Sequence, residues 1–573
     1  MARAFDISVE RWGSGVAAPA LWAVAFILIG LPLGLVVVQA FLPGLFDLAG
    51  PSFVPSLDAI SRLVTSPRLA RGIIDTVVLG VVGAVLSTVV GTALALLLAL
   101  TDIRGKSAFS ALPWVVFATP SYFKGLAWVL LMSPGGYFVG LGLVSPATGS
   151  AFFGPAGLMM VMAFSLFPIP YFIVGSRLEG LGGEFIDAAR VASAGPWRIV
   201  LRVVLPMLVP AIALALLTTF AEVVGDFGIA TTIARSMNFG LITYNIYAAT
   251  ANYPVDFASA GAQALVLVLL VAGSIVVAGL MGGDRTTTFV TGRNRSLARF
   301  HLGAWQAPAL ALMALFTIGS AVLPLIAIVL RSLTVSLGGG LARSNFSLAA
   351  VRTVFDVSSI PGQGLVWSVV YGLAAAVLAV AFGLIFAYQI SLASRTTRLV
   401  ASGLALTTVA LPGIVLAFGY ILVYDRLPGF KDVPLYGSRL LLVIGYAATA
   451  LPYCLILMWS ALGRLGGSLH EASRLAGASP GRHLVKVVLP LIGSAILIAF
   501  GVTTIRSIFE LPMSQFLLPQ AGPPVPVVIV DDFTQGRDAV ACALAIATLG
   551  VVAAIGVLTS LARGPKTLSQ GDS

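Results

Sequence analysis

A few ionisable residues interrupt the long apolar stretches of this 573-residue chain, and they are the first candidates for chemistry, because a charge held in apolar surroundings is costly and by default marks a function. Phe220-Ala221-Glu222-Val223-Val224-Gly225-Asp226-Phe227-Gly228 carries two carboxylates; Ile508-Phe509-Glu510-Leu511-Pro512-Met513 carries one, with Arg506 just before it. Tyr122 and Lys124 interrupt another apolar stretch. Carboxylate and phenol oxygens suit transient contact with a hard cation, whereas the Lys124 ammonium suits an anion. A path must release what it binds, so no tightly bound metal is expected. The structural alternative is a Glu222–Arg506 pair, or carboxylates at wet helix ends. Neither a nucleophile–base pair nor Cys/His ligand spacing is present, and the chain itself is not expected to be an enzyme or to hold a cofactor.

The elements that must position these residues follow from composition. With 58% hydrophobic residues, 10% charged residues and a mean hydropathy of +1.03, the chain cannot solvate itself as a soluble fold. Twelve stretches reach the length of a membrane-spanning helix, near 18–42, 75–100, 108–133, 155–176, 205–225, 260–282, 304–330, 364–391, 399–424, 440–460, 489–510 and 538–562. The runs are continuous rather than alternating, which argues against a β-barrel. Placing both termini in the cytoplasm puts 20 of the 33 lysines and arginines on the inner side, as the positive-inside rule requires. The formal charge of +11 is read as this topological bias plus attraction to anionic lipid headgroups, and no nucleic-acid partner is expected. The first apolar stretch is too long for a cleaved signal peptide. Cys454 and Cys542 fall inside predicted spans and suggest neither a disulfide framework nor a metal site.

The twelve stretches divide into two copies of six. Leu181-Gly182-Gly183-Glu184-Phe185-Ile186-Asp187-Ala188-Ala189-Arg190, continuing through Ser193-Ala194-Gly195-Pro196 to Val203-Val204-Leu205-Pro206, recurs 284 residues later as Leu465-Gly466-Gly467 through Glu471-Ala472-Ser473-Arg474 and Gly477-Ala478-Ser479-Pro480 to Val487-Val488-Leu489-Pro490. Val77-Val78-Leu79-Gly80 and Gly91 match Val369-Val370-Tyr371-Gly372 and Gly383 at an offset of 292, so a slip of eight residues lies in the outer loop between the third and fourth spans. Both third spans contain a proline, Pro120 and Pro412, read either as a packing kink or as a pore-lining break. The halves are 1–283 and 303–573, joined by a polar cytoplasmic linker, 284–302. In the repeated loop an acidic residue opens a short alanine-rich helix, where a carboxylate suits the positive end of the dipole. Small residues then end that helix. Such a surface suits close approach of another protein, although a structural connector remains the alternative.

The pattern Glu-Ala-Ala, three residues, Gly, then about a dozen residues to Leu-Pro resembles the cytoplasmic loop of binding-protein-dependent ABC transporter permeases. The resemblance covers nearly the whole chain. It implies an all-α membrane protein of about twelve helices in two parallel six-helix halves, the type I importer permease fold, in a bacterial inner membrane. It also implies that the loops around 181–206 and 465–490 form coupling helices seated on two copies of an ATP-binding subunit, which would carry ATP and magnesium, and that an extracytoplasmic solute-binding protein delivers the cargo. The residues so assigned are Asp187, Ala188, Ala189, Ser193, Ala194 and Gly195 in the first copy, and Glu471, Ala472, Ser473, Gly477 and Ala478 in the second. The first copy departs through Asp187 for glutamate and Ser193 for glycine, the second through Ser473 for alanine. The segments around Glu222–Asp226 and Glu510 resemble the fused permeases of the ferric-iron uptake group, whose relatives carry thiamine, aminoethylphosphonate and other small solutes. The resemblance makes iron(III) the expected cargo and Tyr122, Lys124, Glu222, Asp226, Arg506 and Glu510 the candidate path. An ion-driven secondary carrier is the rival from another class.

Two decoys carry no chemistry. Gly105-Lys106-Ser107 ends like a phosphate-binding loop, but Leu100 occupies the upstream glycine position. His301, His470 and His483 are scattered and are expected to be solvated or interfacial rather than metal ligands.

Overall fold

An apolar segment away from water must pair its backbone amides within itself, and the helix does this for every residue. The computed structural model describes residues 17–46, 50–181, 183–233, 239–282, 299–391, 393, 397, 411–465 and 467–562. Among them, Pro19–Phe41, Pro67–Leu100, Pro196–Thr232, Phe257–Met281, Gly303–Ser332, Ile360–Ser391, Arg439–Gly463 and Asp538–Leu561 are long and apolar enough to cross a membrane. Three further pairs qualify together but are bent: Lys106–Ala118 with Ser121–Gly140 by 99°, Pro146–Phe152 with Pro155–Leu166 by 67°, and Gly481–Leu491 with Gly493–Ile508 by 77°. Eleven of the twelve expected stretches are thus represented. The first part of the ninth lies outside the described residues, and its second part is the helix Gly413–Ile421. The eight-residue slip is also visible: the first half folds Tyr137–Gly140 and Pro146–Phe152 where the second crosses by turns.

The chain packs as two compact units that do not follow the sequence halves. One contains residues 1–39, 44–53 and 349–573; the other contains 40–43 and 54–348. The first apolar helix of each half therefore belongs to the unit built mainly from the other half. In the first unit the Tyr420 hydroxyl donates to the Leu28 carbonyl at 3.0 Å, and Trp22 meets Phe386 edge to face. In the second, Phe316 packs against Phe164 and Phe167 with centroids 5.4 and 4.8 Å apart.

Proline fixes the local geometry of both halves. Of the five turns of wider π geometry among the described residues, Phe26–Gly30, Val200–Val204, Ile318–Val322 and Leu484–Val488 each run into a helix that opens with a Leu-Pro pair, whereas Leu422–Arg426 ends at an extended Leu427. Before each Leu-Pro pair the leucine amide reaches back five residues, to the carbonyls of Phe26, Val200, Ile318 and Leu484. The extra residue makes room for a proline ring that would otherwise meet the carbonyl four residues back. The turns before Leu-Pro recur at offsets of 292 and 284, the offsets found in the sequence. Pro120 acts more strongly than a kink. Thr119 is extended (φ −86°, ψ 123°), as a residue before proline prefers, and Pro120 (φ −57°, ψ 149°) and Pro412 (φ −59°, ψ 131°) are extended too. At Pro120 the helix Lys106–Ala118 stops and a new one starts, and a helix likewise starts directly after Pro412. The helices that start there, Ser121–Met132 and Gly413–Ile421, are buried on nearly every side.

The repeated glycines are points of close approach. A Cβ on Gly91 would lie 2.5 Å from the Phe167 carbonyl oxygen and 2.8 Å from the Tyr171 amide; on Gly383 it would lie 3.0 Å from the Cys454 Cβ. Small residues of this kind let apolar helices approach backbone to backbone. Gly91→Ala is expected to destabilise the protein by about 1–3 kcal/mol, since the atoms it meets are backbone and cannot turn aside. Gly175→Ala, with nothing within 4 Å, serves as the control and leaves thermal unfolding in detergent unchanged or slightly raised.

Candidate functional site

In the unit built mainly from the first half, the break at Pro120 meets a second break after the fifth span. The helix Leu205–Gly225 ends, Asp226 is extended, and the short helix Gly228–Thr232 begins. Asp226 Oδ1 accepts the Ile229 amide at 2.7 Å and the Ser121 hydroxyl bonds the same carboxylate, so the acid caps the new helix and ties it to the restarted third span. The Thr243 hydroxyl donates to the Asp226 carbonyl at 3.1 Å. No side chain fits between these segments: a Cβ on Gly228 would come within 2.3 Å of Ser121 Oγ, and one on Gly125 within 2.1 Å of Thr232 Oγ1. Lys124 is buried one turn on, where its Nζ donates to the Ser165 carbonyl at 3.2 Å and feels the Asp226 charge. Tyr122 is buried beside Phe123. The structure thus brings Tyr122, Lys124 and Asp226 of the candidate path together.

The other unit repeats the frame with different side chains. Glu510 Oε1 accepts the Met513 amide at 3.3 Å and caps Leu511–Phe516, its carbonyl accepts the Ser514 hydroxyl, and Ser514 bonds Tyr446 at 2.6 Å. Gly413 lies against this carboxylate, where an added Cβ would sit 3.3 Å from Oε1. The polar residues of the first copy, Ser121, Tyr122 and Lys124, are replaced by Gly413, Ile414 and Leu416. The capping carboxylate is duplicated; the lysine is not. Arg506 is exposed with its guanidinium 4.0 Å from the Tyr453 ring centre, and Glu222 is exposed on its own unit. A further pair of caps joins the second span to the chain in each unit: Thr76 Oγ1 accepts the Ile242 amide at 3.0 Å, and Ser368 Oγ accepts that of Val525 at 2.7 Å.

The repeated loops fold alike. Glu184–Val191 is a helix with Glu184 and Asp187 in its first turn and Arg190 in its last, matching the dipole at both ends. Asp187 lies 3.9 Å from Arg190, and Ile186 anchors the helix in a core with Leu178, Leu181, Ile199, Val204 and Phe300. Gly183 is right-handed (φ −58°), so the left-handed residue of this loop is Ser193, at φ 58°. Ser193 donates to the Arg190 carbonyl at 2.8 Å and Ala194 to that of Ala189 at 3.0 Å, the paired bonds of a left-handed helix stop. In the second copy the helix Gly467–Leu475 stops the same way, with Gly477 at φ 71° and the Ala478 amide on the Ser473 carbonyl at 3.0 Å. Serine in place of glycine therefore keeps the geometry, at a cost of about 1 kcal/mol of backbone strain. Ala188, Ser193, Gly195, Glu471, Ala472 and Gly477 are exposed, while Asp187, Ala189, Ala194, Ser473 and Ala478 are partly covered. Gly182 and Gly466 lie outside the described residues.

Residues 379–564 match the family described as "Binding-protein-dependent transport system inner membrane component". Over these residues the chain is similar to the permeases of this family. It is similar over most of its length to proteins named for ferric transport: 26% identical over 487 residues to one of Haemophilus influenzae, covering 82% of this chain and 73% of that one, and 25% identical over 507 residues to one of Actinobacillus pleuropneumoniae, covering 84% and 69%. It is 26% identical over 537 residues to a protein of Sinorhizobium fredii named as an ABC transporter permease, covering 89% and 91%.

Two features of this chain are not legible in the sequence. Val191 and Leu475, at one position of the repeat, are 87% and 90% exposed on the last turn of the two loop helices. Each follows the arginine that closes the acidic segment, where an apolar residue reads as a buried one. His483 is buried rather than solvated, since its Nδ1 and Ser473 Oγ share a hydrogen bond of 2.9 Å. The first copy has Ala189 and Ile199 at these two positions, so Ser473 and His483 change together, and the departure from alanine is a paired replacement. His301 is exposed as expected, and the side chain of His470 lies outside the described residues. Among the described residues no group of three or more His, Cys, Asp or Glu could hold a metal ion. For the duplicated cap, Asp226→Asn keeps an oxygen for the Ile229 amide and is expected to stay within about 1 kcal/mol of wild type, whereas Asp226→Ala costs about 1–2 kcal/mol. Equal losses in thermal unfolding would assign the stabilisation to the charge facing Lys124 instead.

Proposed function

We propose that this permease is the membrane subunit of an ATP-driven importer, receiving solute from an extracytoplasmic binding protein and coupled through its two repeated loops to two ATP-binding subunits on the cytoplasmic side. Iron(III) is the proposed cargo. The observation that supports the coupling role most strongly is the pair Val191 and Leu475. Apolar side chains exposed at 87% and 90% at one duplicated position outside the spans suit burial by a partner, and the same helix stop beside each suits one partner fold meeting both loops. Coupling then requires that the partner bind the two permease states differently, so that closure of the ATP-binding pair favours one of them.

The cargo reading rests on similarity to the relatives named for ferric transport and on the oxygen-rich chemistry of Tyr122, Asp226 and Glu510. Both carboxylates already cap helices, which fits a path that touches a hard cation briefly. Lys124 carries a second reading, a small anionic solute such as a phosphonate or a thiamine phosphate, because a buried ammonium favours negative charge. Val191→Asp and Leu475→Asp are expected to lower recovery of the ATP-binding subunit in a mild-detergent pull-down by at least about tenfold, the scale of one interfacial anchor, while the membrane domain elutes as wild type. Undiminished recovery with both substitutions would remove the loops as docking sites.

A further inference from the structure

The end of the segment between the halves is fastened on one side to residues 100–102, at the end of the second span, and on the other to the first loop helix. The Phe300 amide donates to the Leu100 carbonyl at 2.7 Å and the Asp102 amide donates to that of Phe300 at 3.2 Å, with Thr101 and Phe300 forming a parallel bridge. Asp102 accepts the Leu302 amide at 3.0 Å and bonds the His301 ring, contacts that hold its carboxyl below the usual range, the Leu302 amide contributing most. From the other side Arg190, in the last turn of the loop helix, places its guanidinium 4.9 Å from the Phe300 ring centre and donates to the Arg299 carbonyl at 3.2 Å. Phe300 is buried in the core that holds Ile186, beneath the same helix.

Residues 299–302 lead directly into the helices Gln306–Thr317 and Leu323–Ser332. The latter packs against the restarted third span, Ser121–Met132, and Phe316 meets Phe164 and Phe167. Trp128, on that restarted span, stacks on Phe164 at 6.1 Å. A continuous set of packed groups therefore runs from Arg190 to the helix that carries Tyr122 and Lys124.

We propose that residues 299–302 are a brace that couples the first loop helix to the seventh apolar helix, with Arg190 and Phe300 as positioning residues for transport. The proposal rests on the reading of the loops as docking sites for an ATP-binding subunit. A brace transmits displacement only while both ends stay attached, and the Arg190 contacts are the attachment on the loop side. Burial of Phe300 beside Ile186 sets the segment against the loop helix, and the Arg190 guanidinium over its ring and on the Arg299 carbonyl fastens it there.

The test uses the full complex purified from its native membrane, in a Cys454→Ser, Cys542→Ala background, with spin labels at Leu312→Cys and Leu269→Cys, both exposed positions. The interlabel distance is measured without nucleotide and after trapping with ATP and vanadate. Wild type and Phe300→Tyr, which keeps an aromatic face, are expected to show a nucleotide-dependent shift. Phe300→Leu and Arg190→Gln should lose most of that shift while retaining the ATP-binding subunit and its hydrolysis; Arg190→Gln leaves the Phe300 core intact should Phe300→Leu fail to fold. A wild-type shift in Arg190→Gln, or no shift in a wild-type complex that retains its ATPase, overturns the brace. Absence of any ATP-binding subunit from the wild-type complex overturns the docking reading itself.

Discussion

A backbone amide or carbonyl left unpaired in hydrocarbon costs several kcal/mol, and the architecture of this chain is largely a set of answers to that cost at the places where its helices cannot continue. Proline creates most of those places. Before the Leu-Pro pairs the ladder widens by one residue and the leucine amide finds a carbonyl five back. At Pro120 the helix stops altogether, and the segments that start after Pro120 and Pro412 are packed so closely that glycine is required beside them. After each fifth span a carboxylate supplies the missing acceptor, Asp226 for Ile229 and Glu510 for Met513, and hydroxyls on the second spans do the same for Ile242 and Val525. Two of the charges that stood out in the sequence as candidates for chemistry, Asp226 and Glu510, are thus, first, the acceptors that let broken helices exist.

Duplication explains why these answers come in pairs, and divergence shows where one half has taken on something the other lacks. The caps, the π turns before Leu-Pro and the left-handed helix stops are shared. The polar cluster of Ser121, Tyr122 and Lys124 belongs to one copy, and the buried Ser473–His483 hydrogen bond to the other. Backbone requirements hold the first group in place whatever the side chains nearby do; the second group differs between the copies and makes them asymmetric.

The sequence displayed the parts of this plan that are set by local rules. Span positions follow from length and hydropathy, and the repeat register survives in short strings such as Val-Val-Leu-Pro. Both offsets then reappear in the backbone as π turns at matching positions. What stayed hidden depends on contacts distant in the chain. Proline alone does not say whether a span kinks or breaks, since Pro206 follows a continuous helix through a widened turn while Pro120 ends one. Composition cannot show that the first helix of each half packs in the unit of the other half. Nor does an apolar letter in a helix reveal that Val191 and Leu475 face outward, because exposure is decided by what the neighbouring Ile186 already fills.

The claim that ties these observations to function is that one chain presents two equivalent loops to two copies of an ATP-binding subunit. Native mass spectrometry of the complex extracted from its own membrane in mild detergent measures this directly. A mass equal to one permease chain plus two identical ATP-binding subunits is the expected result. A chain that leaves the membrane alone, and that moves solute in vesicles under an ion gradient without ATP, would contradict it.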